Sequence, residues 1–147
     1  GKKIFKNTNF IKSPKWTYRK YIHKYHSLDL TNATDRMPIK LQMSILSNLI
    51  GESKTEAWRN ILVGLPFLTP SGDRYVNYNT GQPMGAYSSW PIMALSHHYI
   101  VRLAAIRAGL GPNFNNYCIL GDDIVIVNDH VACEYRTLLS TLDMPIS

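Results

Sequence analysis

Tyr117-Cys118-Ile119-Leu120-Gly121-Asp122-Asp123-Ile124-Val125-Ile126-Val127 sets a glycine and two adjacent carboxylates between two runs rich in β-branched and apolar residues. Such runs favour a pleated, half-buried surface, and glycine gives the backbone the freedom that a tight reversal needs. The stretch therefore predicts a β-hairpin with both acids at its tip. Neighbouring like charges are unfavourable unless something positive lies between or above them, and a divalent cation is the usual answer. Taken alone, the turn reads sooner as an ordinary solvated hairpin tip than as a metal site. A partner acid elsewhere in the chain decides between the two.

Composition limits what such a site could act on. The chain has 147 residues, 45% of them hydrophobic, which suffices for one core. A formal net charge of +6 points to a polyanionic partner. Lys2, Lys3, Lys6, Lys12, Lys15, Arg19, Lys20 and Lys24 make up half of the 16 basic residues, and no acid precedes Asp29. Phe5, Phe10, Trp16, Tyr18, Tyr21 and Tyr25 are interleaved with them. Residues 1–28 thus form a basic, aromatic-rich segment suited to phosphate contact and base stacking, or else a basic targeting or disordered tail. There is no secretory apolar region and no span long enough to cross a membrane. Cys118 and Cys133 lack metal-ligand spacing, and Cys118 falls in a strand expected to be buried, which fits a reducing compartment. Without a starting Met or a closing element, the chain reads as part of a longer protein.

Going along the chain, Tyr25 to Leu30 predicts a short strand that leaves Asp29 near its end, with Asp35 a turn beyond. Pro38 opens a helix over Ile39–Ile50, with Ile39, Met43, Leu46 and Ile50 on one face and Gly51 as its stop. Ser53 and Glu56 match a capping box and predict a second helix to about Leu62. Leu65–Leu68 and Arg74–Tyr78 flank the turn Pro70-Ser71-Gly72-Asp73, which predicts a hairpin. Gly81-Gln82-Pro83-Met84-Gly85 then leads into the longest helical pattern, Ala86 to Ala108, with Pro91 in its first turn and a cap at Ser88 or Ser89. Glycines before a helix let backbone N–H groups approach a phosphate or sugar, or simply make a turn. His97 and His98 point in different directions on that helix, one packed and one wet. A last helix, His130 to Leu142, is capped by Asn128 or Asp129.

This order of strands and helices predicts an α+β fold. If the Asp29 strand lies beside the Asp122 hairpin in one antiparallel sheet, Asp29, Asp122 and Asp123 converge on one edge with room for two Mg²⁺ ions. Two such ions can activate a 3′-hydroxyl and stabilise a departing pyrophosphate in an in-line displacement.

The residues resemble the RNA-dependent RNA polymerases, most closely those of mitoviruses, the capsidless RNA replicons of mitochondria. Asp29-Leu30-Thr31-Asn32-Ala33-Thr34-Asp35-Arg36 is similar to polymerase motif A. Gly81-Gln82-Pro83-Met84-Gly85-Ala86-Tyr87-Ser88-Ser89-Trp90 is similar to the mitovirus form of motif B, and Gly121-Asp122-Asp123 to motif C. The resemblance implies a right-hand polymerase palm, a small antiparallel sheet with helices on one face, over residues 29–147, with fingers and thumb missing. It also implies roles: Asp29 and Asp122 holding Mg²⁺ (or Mn²⁺) with Asp123 assisting, and Asp35 sensing the ribose 2′-hydroxyl. Gly81, Gln82, Pro83, Met84 and Gly85, with Ser88 and Ser89, would seat template and incoming nucleotide. Lys12, Lys15, Arg19 and Lys20 would meet RNA phosphates. The implied partners are an RNA template and product and ribonucleoside triphosphates, and the implied location is the mitochondrion. Reverse transcriptases usually carry an aromatic residue where Asp35 stands, so the resemblance favours synthesis of RNA.

The chain also departs from the wider family. Many viral polymerases place an Asn in motif B, where this chain has Ser88 and Ser89. The basic finger motif that grips the triphosphate is not recognisable in residues 1–28, and the motif D lysine would lie beyond Ser147. Mitovirus-like segments also occur as insertions in plant organelle genomes. A truncated, non-catalytic remnant, or a basic RNA-binding fragment, is therefore the alternative to an RNA-synthesising palm segment.

Overall fold

The computed structural model describes residues 24–147; Lys12, Lys15, Arg19 and Lys20 lie outside the described residues. At the centre is the expected hairpin, β4 (Tyr117–Leu120) and β5 (Asp123–Ile126), antiparallel with Leu120 opposite Asp123. That register makes Gly121-Asp122 the two-residue turn and starts β5 at Asp123, so only Asp122 sits at the tip. Gly121 has φ +66° and Asp122 is not in the positive-φ region, the pattern of a type II′ turn, which matches the twist of the flanking strands.

β1 (His26–Asp29) pairs antiparallel with β5, giving the sheet order β1-β5-β4. The far edge of β1 is also occupied: Leu30 bridges Ile146, the Thr31 N–H donates to the Pro145 carbonyl at 3.1 Å, and the Ser147 N–H donates to the Asp29 carbonyl at 3.0 Å. The C-terminal residues thus supply an edge segment that the sequence reading did not foresee.

One face of the sheet is buried. Leu28, Ile124 and Ile126 join a core with residues of α4 (Ser89–Arg107) and α5 (Asp129–Thr141). On α4 the buried positions run Ser89, Ile92/Met93, Ser96/His97, Ile100/Val101 and Ala104/Ala105, a single stripe at helical spacing. On α5 they are Val131, Ala132, Tyr135, Leu138 and Leu139, and the Asn128 side chain caps the helix by accepting from the Val131 N–H at 3.0 Å. Alternation along the strands leaves Asp29, Asp123, Val125 and Cys118 on the other face. Cys118 is therefore exposed and not buried as expected, because among the described residues β4 is an edge strand and no helix covers this face.

The remaining elements sit between β1 and α4. α1 is the single turn Ala33–Arg36, α2 spans Ile39–Ile50 and α3 spans Glu52–Val63. Two sequence expectations fail here. α2 buries Gln42 and Leu46 and leaves Ile50 exposed, because Gln42 Nε2 donates to the Met37 carbonyl at 2.8 Å and turns that face inward. α3 begins at Glu52 behind Gly51, with no side-chain cap, so Ser53 and Glu56 lie inside the helix and do not form a capping box. The second hairpin is short and exposed, β2 (Phe67–Leu68) with β3 (Tyr75–Val76). No helix among the described residues is long and apolar enough to cross a membrane.

Candidate functional site at the acidic turn

The β1–β5 register places Asp29 directly opposite Asp123. Asp122 is fixed to the same region by its carbonyl, which accepts from the Leu30 N–H at 3.1 Å. Backbone pairing thus brings together the three acids that the sequence singled out. Asp122 and Asp123 are exposed and Asp29 is half-buried. Asp29 Oδ2 accepts from the Ser147 hydroxyl at 3.0 Å, and among the described residues no Lys, Arg or His forms an ion pair with any of the three. Carboxylates directly across a ladder repel one another, so the sheet carries an unbalanced cluster of negative charge. Hard oxygen donors on a solvent-facing surface suit Mg²⁺, which keeps several waters and takes further ligands from substrate phosphates. The described side chains contain no group of three His, Cys, Asp or Glu residues already gathered closely enough to hold an ion.

Asp35 lies at the end of α1, exposed, and borders a cleft of about 410 Å³ lined also by Phe67, Leu68, Val76 and Tyr78. Burial and then the Asp35 charge and hydrogen bond push the Tyr78 phenol above its ordinary pKa. Tyr78 is thus a neighbour of the proposed ribose sensor that the sequence reading did not single out.

The loop before α4 divides in two. Gly81 and Gln82 are buried. A Cβ on Gly81 would collide with the backbone of Thr34 and Asp35, so only glycine allows this approach to α1. The Gln82 N–H donates to the Thr34 carbonyl at 2.9 Å, and its side-chain amide donates to Gln42 Oε1 at 2.6 Å and to the Ser89 carbonyl at 3.3 Å. Pro83 is half-buried, whereas Met84 and Gly85 are exposed. Ser88 is half-buried, and its Oγ accepts from Trp58 Nε1 at 2.8 Å, which leaves its own hydroxyl hydrogen available to donate. Ser89 is buried, and its Oγ has no hydrogen-bond partner among the described residues.

The acidic turn itself is gripped from α4. A Cβ on Gly121 would lie 2.5 Å from Trp90 Cη2, so the indole packs directly on the glycine. His97 is fully buried, with Nδ1 3.1 Å from the Gly121 carbonyl and Nε2 2.7 Å from the Tyr135 hydroxyl. Burial holds its pKa below the ordinary histidine value, and the bond to Gly121 opposes that shift in part. His98 is exposed and bonds the Tyr117 hydroxyl at 2.9 Å, so the expectation of one packed and one wet histidine holds. Of the partners that hold the turn, Trp90 closes the motif B stretch, whereas His97 and Tyr135 carried no motif signal of their own.

A family model described as mitovirus RNA-dependent RNA polymerase matches residues 3–147. The RNA-directed RNA polymerase of Cryphonectria parasitica mitovirus 1 is 48% identical over 124 residues, covering 84% of this chain and 15% of that protein. Two uncharacterized mitochondrial proteins of Arabidopsis thaliana are 41% and 35% identical, each over 82% of this chain and over 51% and 62% of their own lengths. The chain therefore spans less than two thirds of each of these relatives. No solved structure matches.

Proposed function

The chain belongs to the mitovirus RNA-dependent RNA polymerase family, and from that premise we propose that residues 29–147 are the palm segment of a template-directed RNA-synthesising enzyme. The observation that carries the reading is the Asp29–Asp123 register, which sets the acid of one motif against the Gly121-Asp122-Asp123 turn of another. Asp29, Asp122 and Asp123 would hold Mg²⁺ or Mn²⁺. When bound, the metal supplies Lewis-acid activation of an RNA 3′-hydroxyl and neutralises charge on a departing pyrophosphate.

The chain's other residues bind and orient. Asp35 accepts a hydrogen bond from the ribose 2′-hydroxyl of a ribonucleoside triphosphate, in a cleft where Tyr78 competes for the same carboxylate. Ser88 donates its free hydroxyl hydrogen to the nucleotide, while Met84 and Gly85 offer an exposed surface to the template. Gly81 and Gln82, being buried, hold that loop against α1. Lys12, Lys15, Arg19 and Lys20 add salt-dependent phosphate contacts to RNA. A mitochondrial location is supported by the relatives named as mitochondrial proteins.

A second reading, a non-catalytic remnant of such a polymerase, is favoured by the same Arabidopsis proteins, which match this chain over most of its length and are not named as polymerases. Divalent-ion binding separates the two. Titrating Mn²⁺ into the chain should broaden the resonances of Asp29, Asp122 and Asp123, and Asp122→Asn should remove most of that broadening. Identical broadening in both proteins would count against the metal site.

A further inference from the structure

The geometry points to His97 as a positioning residue for the acidic turn: from α4 it fixes the Gly121 carbonyl, and through that peptide the direction of Asp122. The inference rests on the reading of Asp122 as a metal ligand. A carbonyl oxygen only accepts, so the 3.1 Å contact requires the hydrogen on Nδ1. Nε2 of the neutral ring then accepts from the Tyr135 hydroxyl at 2.7 Å. The relay from Tyr135 through His97 to Gly121 satisfies both ring nitrogens inside the core, where an unpaired polar atom is unfavourable.

What the relay controls follows from turn geometry. Types II′ and I′ differ by rotation of the peptide between the two central residues, and type I′ requires positive φ at the second of them. Here that peptide is Gly121–Asp122, and its carbonyl is the one His97 holds. Release of the carbonyl would let the turn sample the alternative, with Asp122 in the left-handed region and its carboxylate aimed elsewhere. The strand ladder does not prevent this, because it pairs Leu120 with Asp123 and leaves the central peptide free. Trp90, seven residues earlier and so on the same face of α4, presses on Gly121 from the side. One α4 residue fixes the position of the turn, and the other fixes its orientation.

Two substitutions separate positioning from simple core packing. In His97→Asn the amide nitrogen can stand in for Nδ1 and keep the Gly121 bond while losing Tyr135. In His97→Gln the amide reaches toward Tyr135 and loses Gly121. Both should destabilise the fold. Only His97→Gln should weaken Mn²⁺ binding, by about tenfold, the lower end of what is lost when a residue supporting a metal ligand is removed. It should also raise amide hydrogen exchange at Gly121 to Asp123 relative to the rest of β4 and β5. Equal losses in the two variants, or undiminished Mn²⁺ affinity with unchanged relative exchange in His97→Gln, would overturn the proposal. If the unsubstituted chain shows no Asp122-dependent Mn²⁺ binding, the metal reading fails, and the exchange measurement alone decides the role of His97. Should neither variant fold, ¹⁵N shifts of the His97 ring in the unsubstituted chain decide. A hydrogen on Nδ1 and a bare Nε2 support the relay, and the opposite tautomer overturns it.

Discussion

Asp29 and Asp123 are direct cross-strand partners in the β1–β5 ladder, so two carboxylates share one face of the sheet with no cation paired to either among the described residues. Removing one charge should relieve the repulsion. Asp123→Asn is expected to raise stability in metal-free buffer by about 0.5 kcal/mol. Added Mn²⁺ should then stabilise the unsubstituted chain, through preferential binding to the folded state, more than the variant. Urea denaturation with and without the ion checks both halves. A variant that is less stable without metal, and equally responsive with it, would refute the account.

Gly81 and Gly85 should differ in how they tolerate a methyl group. At Gly81 the added carbon meets the backbone of Thr34 and Asp35, which cannot yield without moving α1, and Gly81→Ala should cost about 3 kcal/mol or more. At Gly85 nothing among the described residues lies within 4 Å, and only the positive φ of 93° is strained, so Gly85→Ala should cost about 1 kcal/mol. Equilibrium unfolding of the two variants ranks them, and the reverse order would contradict the packing of the loop on α1.

The Asp129 carboxyl lies below its ordinary pKa because His26 hydrogen-bonds to it at 2.8 Å, with Lys24 and His130 adding favourable charge. A carboxyl depressed in the folded state binds fewer protons there than in the unfolded chain. Its contribution is therefore fully present above the ordinary carboxylate range and is lost as pH falls through the depressed value. Asp129→Asn should accordingly be less stable than the unsubstituted chain near neutrality, with the difference closing in acid. Thermal melts across that range test it, and a gap independent of pH would remove the cause assigned.

In a longer chain that supplies fingers and thumb, Asp29→Ala and Asp122→Ala are each expected to abolish RNA extension. Asp35→Ala should keep some synthesis and lose preference for ribonucleotides over deoxyribonucleotides. The present segment should extend RNA little or not at all. Phosphoryl transfer depends on in-line placement, and an error of about 1 Å can cost roughly a hundredfold. Primer extension with matched nucleotide pairs measures both effects. Robust extension by Asp122→Ala would exclude its metal role.

The sequence disclosed the acid-bearing hairpin because its strands are β-branched and its turn carries glycine, and the register with β1 then brought Asp29 alongside. It disclosed the extent of α4 through Pro91 and a helical pattern that ends at Ala108 but not the face that is buried, because that face includes Ser89, Ser96 and His97 among its apolar neighbours. A polar side chain that finds its partner only in the folded state carries no hydrophobic periodicity, and Gln42 misled the reading of α2 in the same way. Exposure of Cys118 depends on which strand is the sheet edge, and the Leu30–Ile146 bridge is one residue long and leaves no pattern. The motif residues were legible for their chemistry. Their supports, Trp58, Trp90, His97 and Tyr135, act through contacts between distant parts of the chain.

The seven-residue interval between Trp90 and His97 also sets where the chain can vary in length. Inserting or deleting one residue between them would turn His97 by about 100° around the α4 axis. The imidazole would leave the Gly121 carbonyl while Trp90 stayed in place, so this stretch should admit substitutions at exposed Pro91 and Leu95 but not indels. The exposed β2–β3 turn, at Pro70 to Asp73, lies outside that constraint and can lengthen or shorten without altering the spacing on α4.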